Sequence, residues 1–272
     1  MNKTIENLSP DSALVYKYLR LMESRKIDKA KKVLSENFTM TFPGSMKFEY
    51  LEELINYGKK RQVSVFKTFE SFEEVIKDYS NVIYVRGKLF GKSIQNIKFN
   101  NIRYIDKFIL SNKKFIRQEV WNDFAINNQI KDTYPMPEKS ISKIERDRSD
   151  LDINSEILEF IFSLDCKQEK IKSLFLDQDF IATMPGNILL KINDFLLYLE
   201  KEKKFSERKL WEVNLVESKN FKIVYLDGSI SGLDSEGKKY KNIRFIERLK
   251  FDSLSKKIIS YELWDDLADH GF

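Results

Sequence analysis

The sequence has very few residues of the types that build metal centres and disulfides. Its 272 residues include one cysteine, Cys166, and one histidine, His270. A lone cysteine excludes an intrachain disulfide, and a lone histidine excludes a two-histidine metal site and disfavours a Ser-His-Asp or Cys-His nucleophile. We therefore expect no metal and no cofactor, and we expect any acid–base chemistry to use carboxylates, tyrosines or lysines. The apolar helical stretch around Cys166 favours a buried, inert thiol.

Long apolar runs are absent as well. No stretch approaches the roughly 18 consecutive apolar residues of a membrane-spanning helix, and the first residues lack the apolar core of a signal peptide. These absences predict a soluble, cytoplasmic protein with no membrane partner. Aromatic residues, by contrast, make up 13% of the chain, which is too much large apolar surface for a disordered protein.

The charge is distributed unevenly along the chain. Residues 1–130 contain 23 Lys and Arg against 15 Asp and Glu, whereas residues 131–272 contain 24 against 27. Opposite net charges favour docking of the two halves or steering of an anionic ligand towards the first half. Because acidic residues are interleaved with basic ones throughout, we expect no nucleic-acid partner.

The two halves of the sequence are related to each other. Three blocks recur at nearly constant offsets: Phe38–Gly44 matches Phe180–Gly186 at 142, Asn101–Phe108 matches Asn242–Leu249 at 141, and Glu119–Ala125 matches Glu262–Ala268 at 143. A near-constant offset indicates duplication of a complete domain. We predict a first copy over 1–126, a linker over 127–153 and a second copy over 154–272, each copy long enough to bury its own core.

Each copy has the same predicted order of elements, helices followed by strands. Ser9-Pro10 is typical of a helix start, and Tyr18 lies on the apolar stripe that follows. The other elements predicted in the first copy are helices over Ile27–Leu34 and Tyr50–Tyr57, and strands over Phe38–Phe42, Val63–Val75, Val82–Phe90, Ile97–Leu110 and Phe115–Trp121. The pattern predicts an α+β fold: two tandem cone-shaped domains, each with three N-terminal helices packed in a curved, mostly antiparallel sheet.

Carboxylates on apolar strand faces are the candidate catalytic groups. Strand alternation places Asp106 on the same face as Tyr104 and Phe108, and Glu247 occupies the equivalent place in the second copy. A carboxyl buried under aromatic rings has a raised pKa and can act as a general acid. The alternative is a structural role in which these acids pair with arginines or cap backbone groups at a strand end.

The last strand of each copy carries a second acidic position. Glu119 shares a face with Trp121, and Glu262 shares a face with Trp264. We predict that Glu119 is a further catalytic candidate, with the same structural alternative. The two tryptophans are better explained as pocket wall and core than as chemical groups.

Several of these features together resemble a known family. Pro43-Gly44 after the first strand, the Gly87 and Gly91 region and the closing strand Lys114–Asp123 resemble SnoaL-like domains of the nuclear transport factor 2-like superfamily, as does the counterpart Lys257–Asp266. That superfamily includes ketosteroid isomerase, scytalone dehydratase, limonene epoxide hydrolase and polyketide cyclases. The resemblance covers about 115 residues per half and implies an apolar pocket for a small organic molecule. It does not fix the reaction, because one fold hosts many functions.

The resemblance to ketosteroid isomerase implies roles for particular residues. Tyr18 falls where that family carries its oxyanion-hole tyrosine, and Asp106 falls near the second oxyanion-hole donor. Phe42, however, stands where the family has its general base. In the second copy the corresponding positions are Phe160, Met184 and Glu247. The first copy is therefore the better candidate for an active pocket.

Three functions remain open at this point. The first is a cofactor-independent isomerase, lyase (cyclase or dehydratase) or epoxide hydrolase that acts on a small apolar carbonyl, enol or epoxide compound. The second is a non-catalytic ligand-binding or dimerisation module. The third is a structural pseudo-dimer. The expected partners are a small apolar organic ligand and, within the chain, the other copy, with a further homodimer also compatible. The expected ligand-binding residues are Phe42, Tyr104, Phe108, Trp121, Glu247, Glu262 and Trp264.

Overall fold

The chain divides into two units, Met1–Asp132 and Thr133–Phe272. A computed structural model describes residues 7–127, 134–136, 173–175 and 180–272, with only the backbone of 202–205. Most of the predicted linker, Cys166 and Phe160 lie outside the described residues. The predicted domain bounds and the predictions for those two residues therefore stay predictions.

The described part of the first unit follows the predicted order of helices and then strands. Its elements are α1 (Pro10–Glu23), α2 (Ile27–Lys31), β1 (Leu34–Phe42), β2 (Met46–Phe48), α3 (Leu51–Lys59), β3 (Gln62–Lys67), β4 (Ser71–Ile76), β5 (Asn81–Ser93), β6 (Lys98–Ser111) and β7 (Lys114–Asn122). Helix α1 begins where the sequence predicts, because the N–H of Ser12 donates to Ser9 Oγ at 3.1 Å and Pro10 occupies the first turn.

The strands of the first unit form one sheet in the order β2-β1-β7-β6-β5-β3, with β4 also pairing with β5. Only the β1–β7 pair is parallel among the pairs in this sheet. The predicted single strand over Val63–Val75 is wrong in detail, because the structure divides it into β3 and β4. The break faces Gly87, where an added Cβ would lie 2.1 Å from the carbonyl oxygen of Thr68, so the close approach requires glycine.

The second unit has the same strand order. Its described elements are β8 (Ile181–Met184), β9 (Ile188–Leu190), α4 (Ile192–Phe205), β10 (Ser206–Glu217), β11 (Phe221–Leu233), β12 (Lys239–Asp252) and β13 (Ile258–Asp265). The sheet runs β10-β11-β12-β13-β8-β9, which is the first sheet's order with β10 in the place of β3 and β4. The first two helices expected in this copy fall outside the described residues.

Each unit has an apolar core between its helices and one face of its sheet. In the first unit, α1 contributes Val15, Tyr18 and Leu19, and the sheet contributes Phe108 and Phe115. These observations confirm the predicted α+β class with two curved sheets. None of the described helices is both long enough and apolar enough to span a membrane.

Candidate functional site

The first unit contains a cavity of about 200 Å³. Helix α1 lines it with Tyr18, Leu19 and Met22, and α3 lines it with Leu54, Tyr57 and Gly58. The sheet contributes further apolar and aromatic groups, including Phe42, Val65, Leu89, Tyr104 and Val120. A small, mostly apolar pocket of this kind suits a small organic molecule.

A buried ion pair contributes to the polar part of the cavity wall, which also includes Arg25 and Arg61. The Asp106 side chain is fully buried, and its Oδ2 contacts the ammonium of Lys67, whose side chain is 16% exposed and lines the cavity. Gln118 Nε2 donates to the same oxygen at 3.5 Å. Asp106 Oδ1 has no hydrogen-bond partner among the described residues. The carboxylate thus lies behind Lys67 and holds its ammonium at the cavity surface.

Tyr18 joins this group through Gln118. The Tyr18 hydroxyl donates to Gln118 Oε1 at 3.3 Å, and its ring packs against Phe108 and Phe115 at centroid distances of 5.8 and 5.0 Å. The structure therefore brings Tyr18 and Asp106 to one place, with Gln118 between them. We refer to Tyr18, Lys67, Asp106 and Gln118 as the polar cluster.

Burial controls the protonation of the polar cluster. Burial raises the pKa of Tyr18, and the charge of Asp106 raises it further, so the phenol stays neutral. Burial also raises the pKa of Asp106 above its ordinary value of 3.8, although the charge of Lys67 and hydrogen bonds from Lys67 and Gln118 oppose this effect. Perturbed pKa values of this kind occur at functional sites and also in structural ion pairs.

Tyr104 and Phe42 also line the cavity, as the sequence predicts for ligand-binding residues. The Lys67 ammonium lies 4.0 Å from the centroid of the Tyr104 ring, and the Tyr104 hydroxyl donates to the carbonyl oxygen of Thr68 at 2.9 Å. Phe42 packs edge-on against Phe48 at 5.8 Å. Phe108 is fully buried in the core beside Tyr18.

Among the described residues, one acidic side chain lines the cavity, that of Glu23, and it already has partners. Its Oε1 accepts the backbone N–H of Lys67 at 2.8 Å, and its Oε2 pairs with Arg20 at 2.6 Å. The carboxylate therefore fixes the end of α1 to the end of β3. Because Phe42 precedes Pro43, no acidic residue stands where a general base would be expected by resemblance.

The structure does not bring Glu119 or Trp121 to this cavity. Asp106 on β6 pairs in register with Val120 on β7, so the neighbours of Val120 lie on the opposite face of the sheet. Glu119 forms a buried ion pair with Lys107 at 3.6 Å. A structural role explains Glu119 at this position.

Glu262 and Trp264 have the equivalent positions in the second unit. Glu262 forms an ion pair with Arg248 at 2.9 Å, on the same side of β13 as the buried Trp264. Leu263, between them, pairs with Glu247, which therefore lies on the other face. These two predicted ligand-binding residues are thus separated from the third, Glu247.

The polar cluster has a counterpart in the second unit with larger side chains. Arg208 replaces Lys67 and Glu247 replaces Asp106, both at an offset of 141. Arg208 and the Tyr261 hydroxyl both contact Glu247 Oε1, and Glu247 is fully buried. Tyr261 stands in the place of Gln118. The strand register shows this, because Gln118 pairs with Phe108 and Tyr261 pairs with Leu249, the residue equivalent to Phe108.

Large side chains stand at positions of the second unit that correspond to cavity-lining positions of the first. The Phe195 ring of α4 lies 4.6 Å from the Tyr261 ring and 5.3 Å from the Phe180 ring. Leu199, one turn further along α4, is also buried in this cluster. By the starts of α3 and α4 and their burial patterns, Phe195 and Leu199 correspond to Leu54 and Gly58.

Sequence reasoning missed Lys67 and Gln118. The repeat contained a usable signal, because Lys67 and Asp106 recur as Arg208 and Glu247 with both signs of charge preserved. A basic and an acidic residue that recur together at the same offset indicate an ion pair. Among the described residues, no group of three or more His, Cys, Asp or Glu side chains is placed to hold a metal ion.

Three solved structures that are similar to this chain each match less than half of it. An NTF2-like protein of unknown function from Burkholderia pseudomallei is 13% identical, covers 44% of this chain and 95% of its own, and has a TM-score of 0.38. A candidate SnoaL-like polyketide cyclase from Shewanella putrefaciens is 10% identical, with 45% and 86% covered and a TM-score of 0.38. A candidate ketosteroid isomerase from Shewanella frigidimarina is 10% identical, with 41% and 94% covered and a TM-score of 0.35.

These neighbours come from the superfamily that each half of the sequence resembles. No protein-family description and no curated protein matches the chain. At such identities and TM-scores the neighbours carry no argument about activity. The function is therefore argued from the cavity and the polar cluster.

Proposed function

We propose that the first unit binds a small, largely apolar organic molecule through one oxygen acceptor, which receives a hydrogen bond from Lys67. A carbonyl, enol, epoxide or phenolate oxygen would fit this requirement. The apolar wall accommodates the body of the molecule, and the ammonium supplies the polar anchor. The observation that carries the proposal is the contact between Lys67 and the fully buried Asp106 in the wall of a mostly apolar cavity.

The geometry explains why Lys67 is the anchor. A lysine ammonium has three donors, and Asp106 takes one of them while the Tyr104 ring lies beside the group. The contact with Asp106 limits the movement of the ammonium, so a ligand oxygen meets a donor already in position. Gln118 and Tyr18 line the cavity next to it and can offer further polar contacts.

A second candidate function is acid–base catalysis of the isomerase, lyase or cyclase type on a carbonyl, enol or epoxide compound. It is favoured by the raised pKa of Asp106 beside Lys67. In that function, a solvent water molecule would take the proton from the substrate carbon, and Lys67 would stabilise the negative charge that develops on the adjacent oxygen. The absence of a carboxylate before Pro43 favours binding as the first candidate.

A chromogenic phenol tests the proposed binding. We expect wild-type protein to bind 4-nitrophenol and to lower its apparent pKa, because the ammonium of Lys67 favours the coloured phenolate. Lys67→Met should weaken binding by about tenfold or more and remove the shift, corresponding to about 1.4 kcal/mol or more. Spectrophotometric titration measures both quantities.

The matched control is Arg208→Met, which removes the equivalent cation of the second unit. This variant should bind 4-nitrophenol like the wild type. The proposal is wrong if the wild type does not bind the phenol, or if Lys67→Met and Arg208→Met behave alike.

Catalysis is tested by deuterium exchange at the acidic carbon positions of 2-tetralone, followed by NMR. Faster exchange with the wild type than with both Lys67→Met and Tyr18→Phe would support acid–base chemistry. Binding without accelerated exchange would leave the first unit a ligand-binding module.

A further inference from the structure

We propose that Gly58 is a specificity-determining residue of the cavity, because its missing side chain provides the space for the second half of a two-ring ligand. This inference rests on the proposed binding function and adds a size class to it. The ligand it predicts is a fused bicyclic or similarly broad aromatic compound with one oxygen at the Lys67 end.

The backbone conformation at position 58 does not require a glycine. Gly58 lies inside α3, one residue before its end, and its φ angle is outside the left-handed region. At Gly44, by contrast, φ is 73°, a conformation that favours glycine. Glycine is also a poor residue for a helix, so alanine would be the better choice here on local grounds.

Packing against the protein does not require a glycine at this position either. A Cβ added at Gly58 would meet no atom within 4 Å, whereas one added at Gly87 would meet a carbonyl oxygen at 2.1 Å. Gly58 lines the cavity, and the space that a Cβ would occupy there is open. The residue therefore keeps volume free in the binding site.

The two units differ at this helix position. The equivalent position on α4 is Leu199, which is buried with Phe195 in the aromatic cluster of the second unit. The same helix on the same fold thus tolerates a leucine at this point. Because the first unit has glycine there, helix packing alone does not account for it, and a cavity occupant does.

Two phenols of different width test the inference. We expect wild-type protein to bind both 4-nitrophenol and the broader 4-nitro-1-naphthol. Gly58→Leu should raise the ratio of the naphthol to the phenol dissociation constant by about fivefold or more, since overpacked side chains exclude only the larger ring. Gly58→Ala should raise the ratio less and should also raise the melting temperature. Spectrophotometric titration and thermal denaturation provide the measurements.

Asn56→Ala is the matched control, because Asn56 is exposed on the same helix and its replacement also favours helix formation. It should raise the melting temperature without changing the ratio. If Gly58→Leu abolishes binding of both phenols, the ratio of the two dissociation constants measured for Gly58→Ala tests the inference instead. An unchanged ratio in Gly58→Ala overturns the inference. If the wild type binds neither phenol, the proposed function itself has failed.

Discussion

At the scale of single residues, the main feature is an ion pair that occurs in both units with different side chains. Lys67 and Asp106 in the first unit correspond to Arg208 and Glu247 in the second. The charges are kept while both side chains change. Removing one partner of a buried pair leaves an uncompensated charge, so the two residues can change together more easily than singly.

The pair of Lys67 and Asp106 leads us to expect a free energy of unfolding that depends on pH. Asp106 has a higher pKa in the folded than in the unfolded chain, so the folded state keeps the proton to higher pH. The contribution of this carboxyl to stability is complete below its unfolded pKa and is lost as the pH rises through the folded pKa. Lys67→Met raises the folded pKa further. We expect this variant to lose less than about 1 kcal/mol of unfolding free energy near pH 4 and about 3 kcal/mol near pH 8.

Urea denaturation of the wild type and Lys67→Met across this pH range measures the difference. The double variant Lys67→Met with Asp106→Asn is the control, because it contains no ionisable group at either position. Its difference from the wild type should not grow with pH as that of Lys67→Met does. A pH-independent loss in Lys67→Met would show that Asp106 is not the titrating group.

At the scale of elements, the sequence predicts the order of helices and strands because each signal is local. Ser9-Pro10 begins α1, and the alternation around Asp106 predicts the face that it occupies. Local signals do not predict the partner of Asp106, because that partner depends on how β3, β5 and β6 align. Lys67 pairs with Leu89 on β5, and Asp106 pairs with Val85 on the same strand. No local pattern gives these registers, and the sequence therefore pointed to arginines instead of Lys67.

Helices α3 and α4 are equivalent elements that face different interiors. Phe195 of α4 is fully buried among aromatic rings, whereas Leu54 of α3 is half-buried and lines the cavity. We expect Phe195→Ala to lower the free energy of unfolding by about 3–5 kcal/mol, because it opens a void in a filled core. Leu54→Ala should lower it by only about 1–2 kcal/mol, since part of that side chain already faces open space.

Chemical denaturation followed by tryptophan fluorescence measures both variants. Trp121 reports on the first unit, and Trp211 and Trp264 report on the second. Equal losses at the two positions would contradict the view that the second interior is filled and the first is open.

At the scale of the whole molecule, the two units have the same strand order but have diverged inside. The first combines a cavity with a polar cluster that reaches its wall. In the second, Phe195, Leu199 and Tyr261 pack in one buried cluster, and the Tyr261 hydroxyl contacts Glu247. Duplication of the domain is therefore compatible with one unit that binds a ligand and one that supplies structure.

This divergence predicts the number of binding sites per chain. We expect isothermal titration calorimetry with 4-nitrophenol to give one site per 272-residue chain, because the cavity and the Lys67 donor both belong to the first unit. Lys67→Met should weaken that site by about tenfold or more, whereas Glu247→Gln, which alters only the second unit, should leave it unchanged. Two equivalent sites in the wild type would show that the aromatic cluster of the second unit does not close its pocket, and the division of roles between the units would then be wrong.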